Sequence, residues 1–170
     1  AKFRYNREEY FYGVEADELI GTEMLLDEAS VTGTANILMA AVLAKGETVI
    51  YNAACEPYLQ QLSKMLVSMG AKIDGIGSNR LIVLGVESLG GCEHRVLPDM
   101  IEIGSWIGMA AVTRSVLTIK DVGWKDLGLI PNVFRKLGIQ LEKRGDDIYI
   151  PAQESYEIQG YLDGSILTVS

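Results

Sequence analysis

The alternation of apolar and polar positions changes rhythm several times along the chain. "KFRYN", "EEYFYGVEA" and "ELIGTEMLL" mix aromatic and aliphatic residues between turn signals at Asn6, Gly13 and Asp17, which predicts strands. From Ser30 the spacing becomes helical. Ile37, Met39, Ala40, Ala41 and Leu43 fill most of the helix circumference, so this helix is expected to be buried on nearly all sides, with Gly46 ending it. "TVIYN" reads as a short buried strand. "EPYLQQLSKMLVSMG" reads as an amphipathic helix with Leu59, Leu62, Leu66 and Met69 on one face, Pro57 in its first turn and Gly70 at its exit. "AKIDGI" and "RLIVLGV" follow as a hairpin turning through Gly77-Ser78-Asn79.

The order then recurs. "IEIGSWIGMAAVTRSVLTI" repeats "SVTGTANILMAAVLAKGETVI", matching Met39-Ala40-Ala41-Val42 to Met109-Ala110-Ala111-Val112. "LIPNVFRKLGIQLEKRGDDIYI" repeats the second helix and its hairpin. Two helix–strand–helix–strand–strand units thus lie about 70 residues apart, divided by "GGCEHRVLPDM" with its Gly90, Gly91 and Pro98. The closing "YEIQGYLDGSILTVS" predicts two further strands. Alternating units of this kind argue for an α/β architecture. Helices as apolar as these belong inside, with the sheets facing outward, the reverse of a TIM barrel.

At 170 residues and 48% hydrophobic, with 18 Gly against 4 Pro, the chain holds one domain or two small ones. The net charge of -8 argues against a nucleic-acid-binding face but leaves room for small phosphate ligands, which a helix N-terminus holds through local amides. The longest apolar run, Ile37 to Ala44, is too short to span a membrane, and the polar "AKFRYNREEY" is no secretory leader. Without an initiator Met, the chain is expected to be an excised piece of something longer. Cys55 and Cys92 form no CxxC pair and find only His94 as a companion, so no zinc site is expected and the thiols read as reduced and incidental.

Helices inside, sheets outside and a tandem repeat describe the enolpyruvyl transferases. "SVTGTANILMAAVLAKGETVIYNAACEP", "MGAKIDGIGSNRLIVLGVESLGG" and "HRVLPDMIEIGSW" closely resemble the branch of that family acting on UDP-N-acetylglucosamine, and nearly everything from Gly21 to Ile150 follows its pattern. The resemblance implies an inside-out α/β barrel of two domains, each of three such repeats. It further implies transfer of enolpyruvyl from phosphoenolpyruvate to the 3-hydroxyl of UDP-N-acetylglucosamine, the first committed step of peptidoglycan synthesis in the bacterial cytoplasm. Those two small molecules are the implied partners, with no nucleic acid, membrane, cofactor or metal. The family's domain crossing falls at "RVLPD", placing residues 1–97 in one domain and 98–170 in the other. The family's catalytic residues lie outside this stretch. The chain alone is therefore expected to be inactive, and its uncovered edges are expected to make it self-associate.

In the family, the segment matching Glu28-Ala29-Ser30-Val31-Thr32 touches the nucleotide. Many members have Lys where Glu28 stands, so Glu28 either turns to solvent or leaves the substrate charge to residues elsewhere. Ala35 and Met100 stand where Glu and Arg are frequent. Taken alone, Ser30–Thr34 reads first as a helix cap; the resemblance adds a seat for the diphosphate. Glu56 stands evenly between favouring the helix start electrostatically and lying on the nucleotide side. Arg95, Asp99 and Glu102 flank the crossing and are expected to form structural salt bridges at a hinge, ahead of the alternative that they contact substrate directly. His94 reads as a surface residue, Trp106 and Trp124 as packing groups, and "EKRGDD" as a solvated hairpin turn. Two other readings remain: a non-catalytic binding or scaffold module of the same fold, and the shikimate-pathway transferase, for which no basic set suited to shikimate 3-phosphate is found.

Overall fold

The computed structural model describes residues 2–160 and Ser165. Its contacts divide the chain into two units, Ala1–Val96 and Leu97–Ser170.

The first unit contains β1 (Lys2–Asn6), β2 (Phe11–Glu15), β3 (Glu23–Leu25), α1 (Val31–Ala41), β4 (Glu47–Tyr51), α2 (Pro57–Ser68), β5 (Lys72–Asp74) and β6 (Arg80–Leu84). Strands β3-β4-β6-β5 form one sheet, in which β3 is parallel to β4 and the other pairs are antiparallel. The period of two sends Thr48, Ile50, Leu81 and Val83 to one face, and all four are buried. Val83 joins Leu38 and Ala41 of α1, the capping Val42 and Leu66 of α2 in one apolar cluster. The other face carries Glu23, Leu25, Glu47, Arg80 and Leu84, all exposed, with the Arg80 guanidinium 5.5 Å above the Tyr51 ring. Helix α2 begins on Pro57, whose missing N–H costs nothing in a first turn. It ends with Ala71 N donating to Leu66 O across Gly70, which sits at φ +108°.

The second unit contains α3 (Met100–Val112), β7 (Leu117–Ile119), a 3-10 turn at Trp124–Asp126, α4 (Ile130–Lys136), β8 (Glu142–Arg144) and β9 (Asp147–Ile150). Its sheet, β7-β9-β8, is antiparallel throughout. Ile103, Ile107, Ala110 and Ala111 of α3 pack with Leu141, Ile148 and Ile150. Tyr156 closes the unit by donating to Ala111 O at 2.7 Å.

The two units repeat one another, but one residue out of step with the Met-Ala-Ala-Val match. The N-caps pair Ser30 with Asp99. The buried positions pair Thr34, Leu38, Ala41 and Val42 with Ile103, Ile107, Ala110 and Ala111. Beyond the following strand, Asn52 (φ 56°) pairs with Asp121 (φ 51°). One residue is 100° of helix rotation, so the tetrads resemble each other without occupying the same faces.

The opening hairpin is a third copy of the unit's last two strands. Ala1-Lys2-Phe3 echoes Ala71-Lys72-Ile73, and β1–β2 pairs Phe3 with Val14 as β5–β6 pairs Ile73 with Val83. The face buried in β5–β6 is open in β1–β2, where Phe3, Tyr5 and Tyr12 stack at 5.7 and 4.8 Å.

The expectation that the first helix of each unit is buried on nearly all sides does not hold. Each covers one side with its own sheet and neighbouring helix. The far side of α1 exposes Met39 and is continued by exposed Leu43, and that of α3 exposes Ile101, Met109 and Val112, the last 83% exposed. The described residues close no barrel. Of the two strands expected at the end, 156–160 and Ser165 form none, and the rest lies outside the described residues.

Candidate functional site

Because β3 and β4 are parallel, their C-terminal ends open on the same edge of the first sheet. Two connections leave from that edge, Leu26 to Ser30 into α1 and Asn52 to Glu56 into α2. Crevices beyond the carboxyl ends of parallel strands are where α/β proteins place ligands. One hydrogen bond joins the two connections, and another joins the second connection to α1 itself. Asn52 Nδ2 donates to Leu26 O at 3.0 Å, and Ala54 N donates to Thr34 Oγ1 at 3.0 Å in a buried position. Asn52 holds the left-handed conformation that Asn tolerates better than most residues. The next amide, Ala53 N, donates to Asn79 O at 2.9 Å, anchoring the loop to the β5–β6 turn.

At the mouth of α1 the hydroxyls divide their work. Ser30 is the N-cap: its Oγ accepts from Gly33 N at 3.1 Å, and its carbonyl accepts from Thr34 N at 2.9 Å. Ser30 N donates to Glu28 O at 2.8 Å, which tightens the entry. Ser30 Oγ lies 3.5 Å from Thr32 Oγ1. Among the described residues, no intrachain acceptor takes the amides of Val31 and Thr32. Two donors therefore remain at the positive end of the helix. A Ser hydroxyl that accepts an amide still has its own proton to donate, so Ser30 and Thr32 together offer O–H groups beside the two amides. Glu28, Ala29 and Thr32 are exposed and Val31 is half-buried. Glu56 occupies the N-cap position of α2 without a side-chain cap bond, and its Oε2 is enclosed without a partner among the described residues.

The residues near the unit boundary do other things. Asp99 caps α3, accepting from Ile101 N at 2.8 Å and Glu102 N at 3.3 Å. Glu102 accepts from Trp106 Nε1 at 3.4 Å. Arg95 is held through its carbonyl, which accepts from Gln61 Nε2 at 3.0 Å. Among the described residues the ion pairs are Arg4–Glu15, Lys45–Glu18, Arg114–Glu154 and Arg144–Glu142, none of which joins Arg95, Asp99 and Glu102.

The hairpin "EKRGDD" does more than face solvent. The Asp146 carboxylate accepts from Gly123 N at 3.2 Å and Trp124 N at 3.1 Å. Trp124 packs within the second unit, donating from Nε1 to Asp147 O, with Lys143 Nζ 5.3 Å above its ring. Cys55 and Cys92 are free and exposed. Among the described residues, no group of three or more His, Cys, Asp or Glu side chains is placed to hold a metal ion. No described helix is long and apolar enough to cross a membrane.

Residues 2–161 match the family described as EPSP synthase (3-phosphoshikimate 1-carboxyvinyltransferase). The chain is 66% identical over its whole length to the UDP-N-acetylglucosamine 1-carboxyvinyltransferase of Bacteroides fragilis, covering 39% of that protein. It is 50% identical over 151 residues to the protein of the same name from Treponema denticola, covering 35% of it. The chain thus spans about two-fifths of the length of these relatives. Among solved structures, the enolpyruvyl transferase NikO from Streptomyces tendae matches 90% of this chain and 39% of its own, with a TM-score of 0.76 at 16% identity. EPSP synthase from Acinetobacter baumannii matches 92% of this chain and 38% of its own, with a TM-score of 0.60 at 20% identity. At such identities the likeness is one of fold.

Proposed function

The chain belongs to the EPSP synthase family of carboxyvinyl transferases, and from that premise we propose that it is the part of a UDP-N-acetylglucosamine 1-carboxyvinyltransferase that seats the sugar nucleotide. The observation that carries this reading is identity of 66% along all 170 residues with proteins of that name, against 20% with an EPSP synthase of the same fold. In the whole protein, the 3-hydroxyl of UDP-N-acetylglucosamine takes the enolpyruvyl group of phosphoenolpyruvate. One C–O bond forms to the sugar, the C–O bond to phosphate breaks, and inorganic phosphate leaves.

The chain's share is binding. The amides of Val31 and Thr32, with the hydroxyls of Ser30 and Thr32, meet the diphosphate at the positive end of α1. Glu28 and Ala29 line its approach, and Glu56 faces it from the neighbouring loop. Glu28 brings no positive charge, so the substrate's charge is met by helix amides and by residues outside this stretch. The chain by itself is inactive. The whole protein works in the bacterial cytoplasm on a precursor of peptidoglycan. The uncovered faces of β1–β2, α1 and α3 make the isolated chain self-associate.

The test is phosphate release by the whole protein from phosphoenolpyruvate, with UDP-N-acetylglucosamine or shikimate 3-phosphate as acceptor. Turnover with the sugar nucleotide alone is expected. Turnover with shikimate 3-phosphate instead, or with neither, overturns the assignment.

A further inference from the structure

We propose that Thr34 is a positioning residue of this site: its buried hydroxyl holds the Ala53–Glu56 loop against the first turn of α1, setting where Glu56 stands relative to the diphosphate seat. The inference rests on the reading of that seat given above. In the sequence Thr34 is one of a run of small hydroxyl residues at a helix mouth. In the structure it is 0% exposed and makes no part of the mouth. Its Oγ1 accepts from Ala54 N at 3.0 Å, a contact between helix α1 and the connection that leads into α2. Ala54 is itself buried, so water does not replace that acceptor.

The repeat shows that the fold does not need a hydroxyl here. In the second unit the residue paired with Thr34 is Ile103, which is apolar and buried. The loops remain alike, since Val122 N donates to Asp146 O at 2.9 Å as Ala53 N donates to Asn79 O at 2.9 Å. The amide paired with Ala54 N is Gly123 N, and it donates to the Asp146 carboxylate on the hairpin turn. The same amide is therefore satisfied from the hairpin in one unit and from the helix in the other. Among the described residues, the first unit ties this loop amide to α1, the helix whose mouth carries the free amides of Val31 and Thr32. With Asn52 bonded to Leu26 O, the Asn52–Glu56 connection is fastened at two points, one on the Leu26–Ser30 connection and one on α1. Glu56 lies two residues beyond the second point.

The test compares Thr34→Val, which keeps the shape but removes the acceptor, with Thr34→Ser, which keeps the acceptor. Two readouts are taken on the whole protein: hydrogen exchange of the Ala54 amide and affinity for UDP-N-acetylglucosamine. Thr34→Val should speed Ala54 exchange and weaken the sugar nucleotide, each by about tenfold, the effect of losing one buried hydrogen bond. Thr34→Ser should leave both within about twofold of the wild type, well inside the tenfold that 1.4 kcal/mol represents. Unchanged exchange in Thr34→Val overturns the tie. Faster exchange with unaltered affinity overturns its bearing on the site, and equal losses in both variants reduce it to packing. A wild type that binds no UDP-N-acetylglucosamine overturns the substrate reading instead, while the exchange ratio still decides the tie. Should Thr34→Val not fold, the wild type alone remains decisive: its Ala54 amide must exchange much more slowly than that of exposed Cys55, and equal rates refute the inference.

Discussion

Gly138 and Gly145 offer a controlled comparison of backbone strain and close approach within the second unit. Both have positive φ, +84° and +67°. A Cβ at Gly145 meets nothing within 4 Å, whereas one at Gly138 falls 2.6 Å from both N and O of Glu157. Alanine in the left-handed region costs about 1–2 kcal/mol, partly offset by about 0.4–1 kcal/mol from a stiffer unfolded chain. Gly145→Ala should therefore lose about 1 kcal/mol or less. Gly138→Ala carries the same term and must also push back the backbone of 157. That movement strains the bonds from Gln159 N to Lys136 O at 2.8 Å and from Gln153 Nε2 to Gly138 O at 3.0 Å. With about 1 kcal/mol for each weakened bond, its total is about 2–3 kcal/mol. Both tryptophans of the chain, Trp106 and Trp124, lie in the second unit, so fluorescence-monitored urea unfolding reads that unit selectively. The Gly138→Ala midpoint should fall well below that of Gly145→Ala. Equal midpoints would refute the argument that segment 157 lies against this helix end.

Three further outcomes follow from the same contacts. Ser30→Ala should cost α1 about 1 kcal/mol as a lost cap, while Ser30→Asp keeps the cap but sets a carboxylate against the diphosphate. Thermal melts should spare Ser30→Asp, and titration with UDP-N-acetylglucosamine should not. Asp146→Ala releases the amides of Gly123 and Trp124 and should destabilise the second unit by about 1–2 kcal/mol, reduced by the exposure of the carboxylate. A shift in Trp124 emission before global unfolding reads that loss. Val112→Glu and Leu43→Lys place charges on exposed apolar positions and should lower the apparent mass of the isolated chain in concentration-dependent light scattering. An unchanged mass distribution removes those faces from its self-association.

Periodicity carried most of the fold, because each unit buries one clean face and alternation or helical spacing marks it. It failed where burial depends on a neighbour. The apolar girth of α1 and α3 reads as full enclosure, yet each unit supplies cover for one side only, leaving Met39 and Val112 in the open. The tetrad match slipped by one residue because Ala-Ala steps look alike in a sequence, whereas the caps Ser30 and Asp99 set the phase. The aromatic opening hid a third hairpin, since Phe3 and Tyr12 do not look like Ile73 and Leu81 until the pairing of Phe3 with Val14 is set beside that of Ile73 with Val83.

At the site, Ser30 was legible as a cap because cap chemistry is local. Thr34 was not, since its partner, Ala54 N, is brought to it by the parallel pairing of β3 and β4. Asp146 was missed for the same reason: a charged residue in a hairpin turn reads as solvated until the loop it serves, Gly123 to Trp124, folds onto it.

The measurement that bears most directly on the account is an amide-resolved NMR titration of the whole protein with UDP-N-acetylglucosamine. The largest shifts are predicted at the amides of Val31 and Thr32, with a second group at Ala54 to Glu56, and Ser30→Asp should abolish them. Saturable binding that leaves the α1 mouth unmoved would contradict the placement of the diphosphate, and with it the role given to this part of the chain.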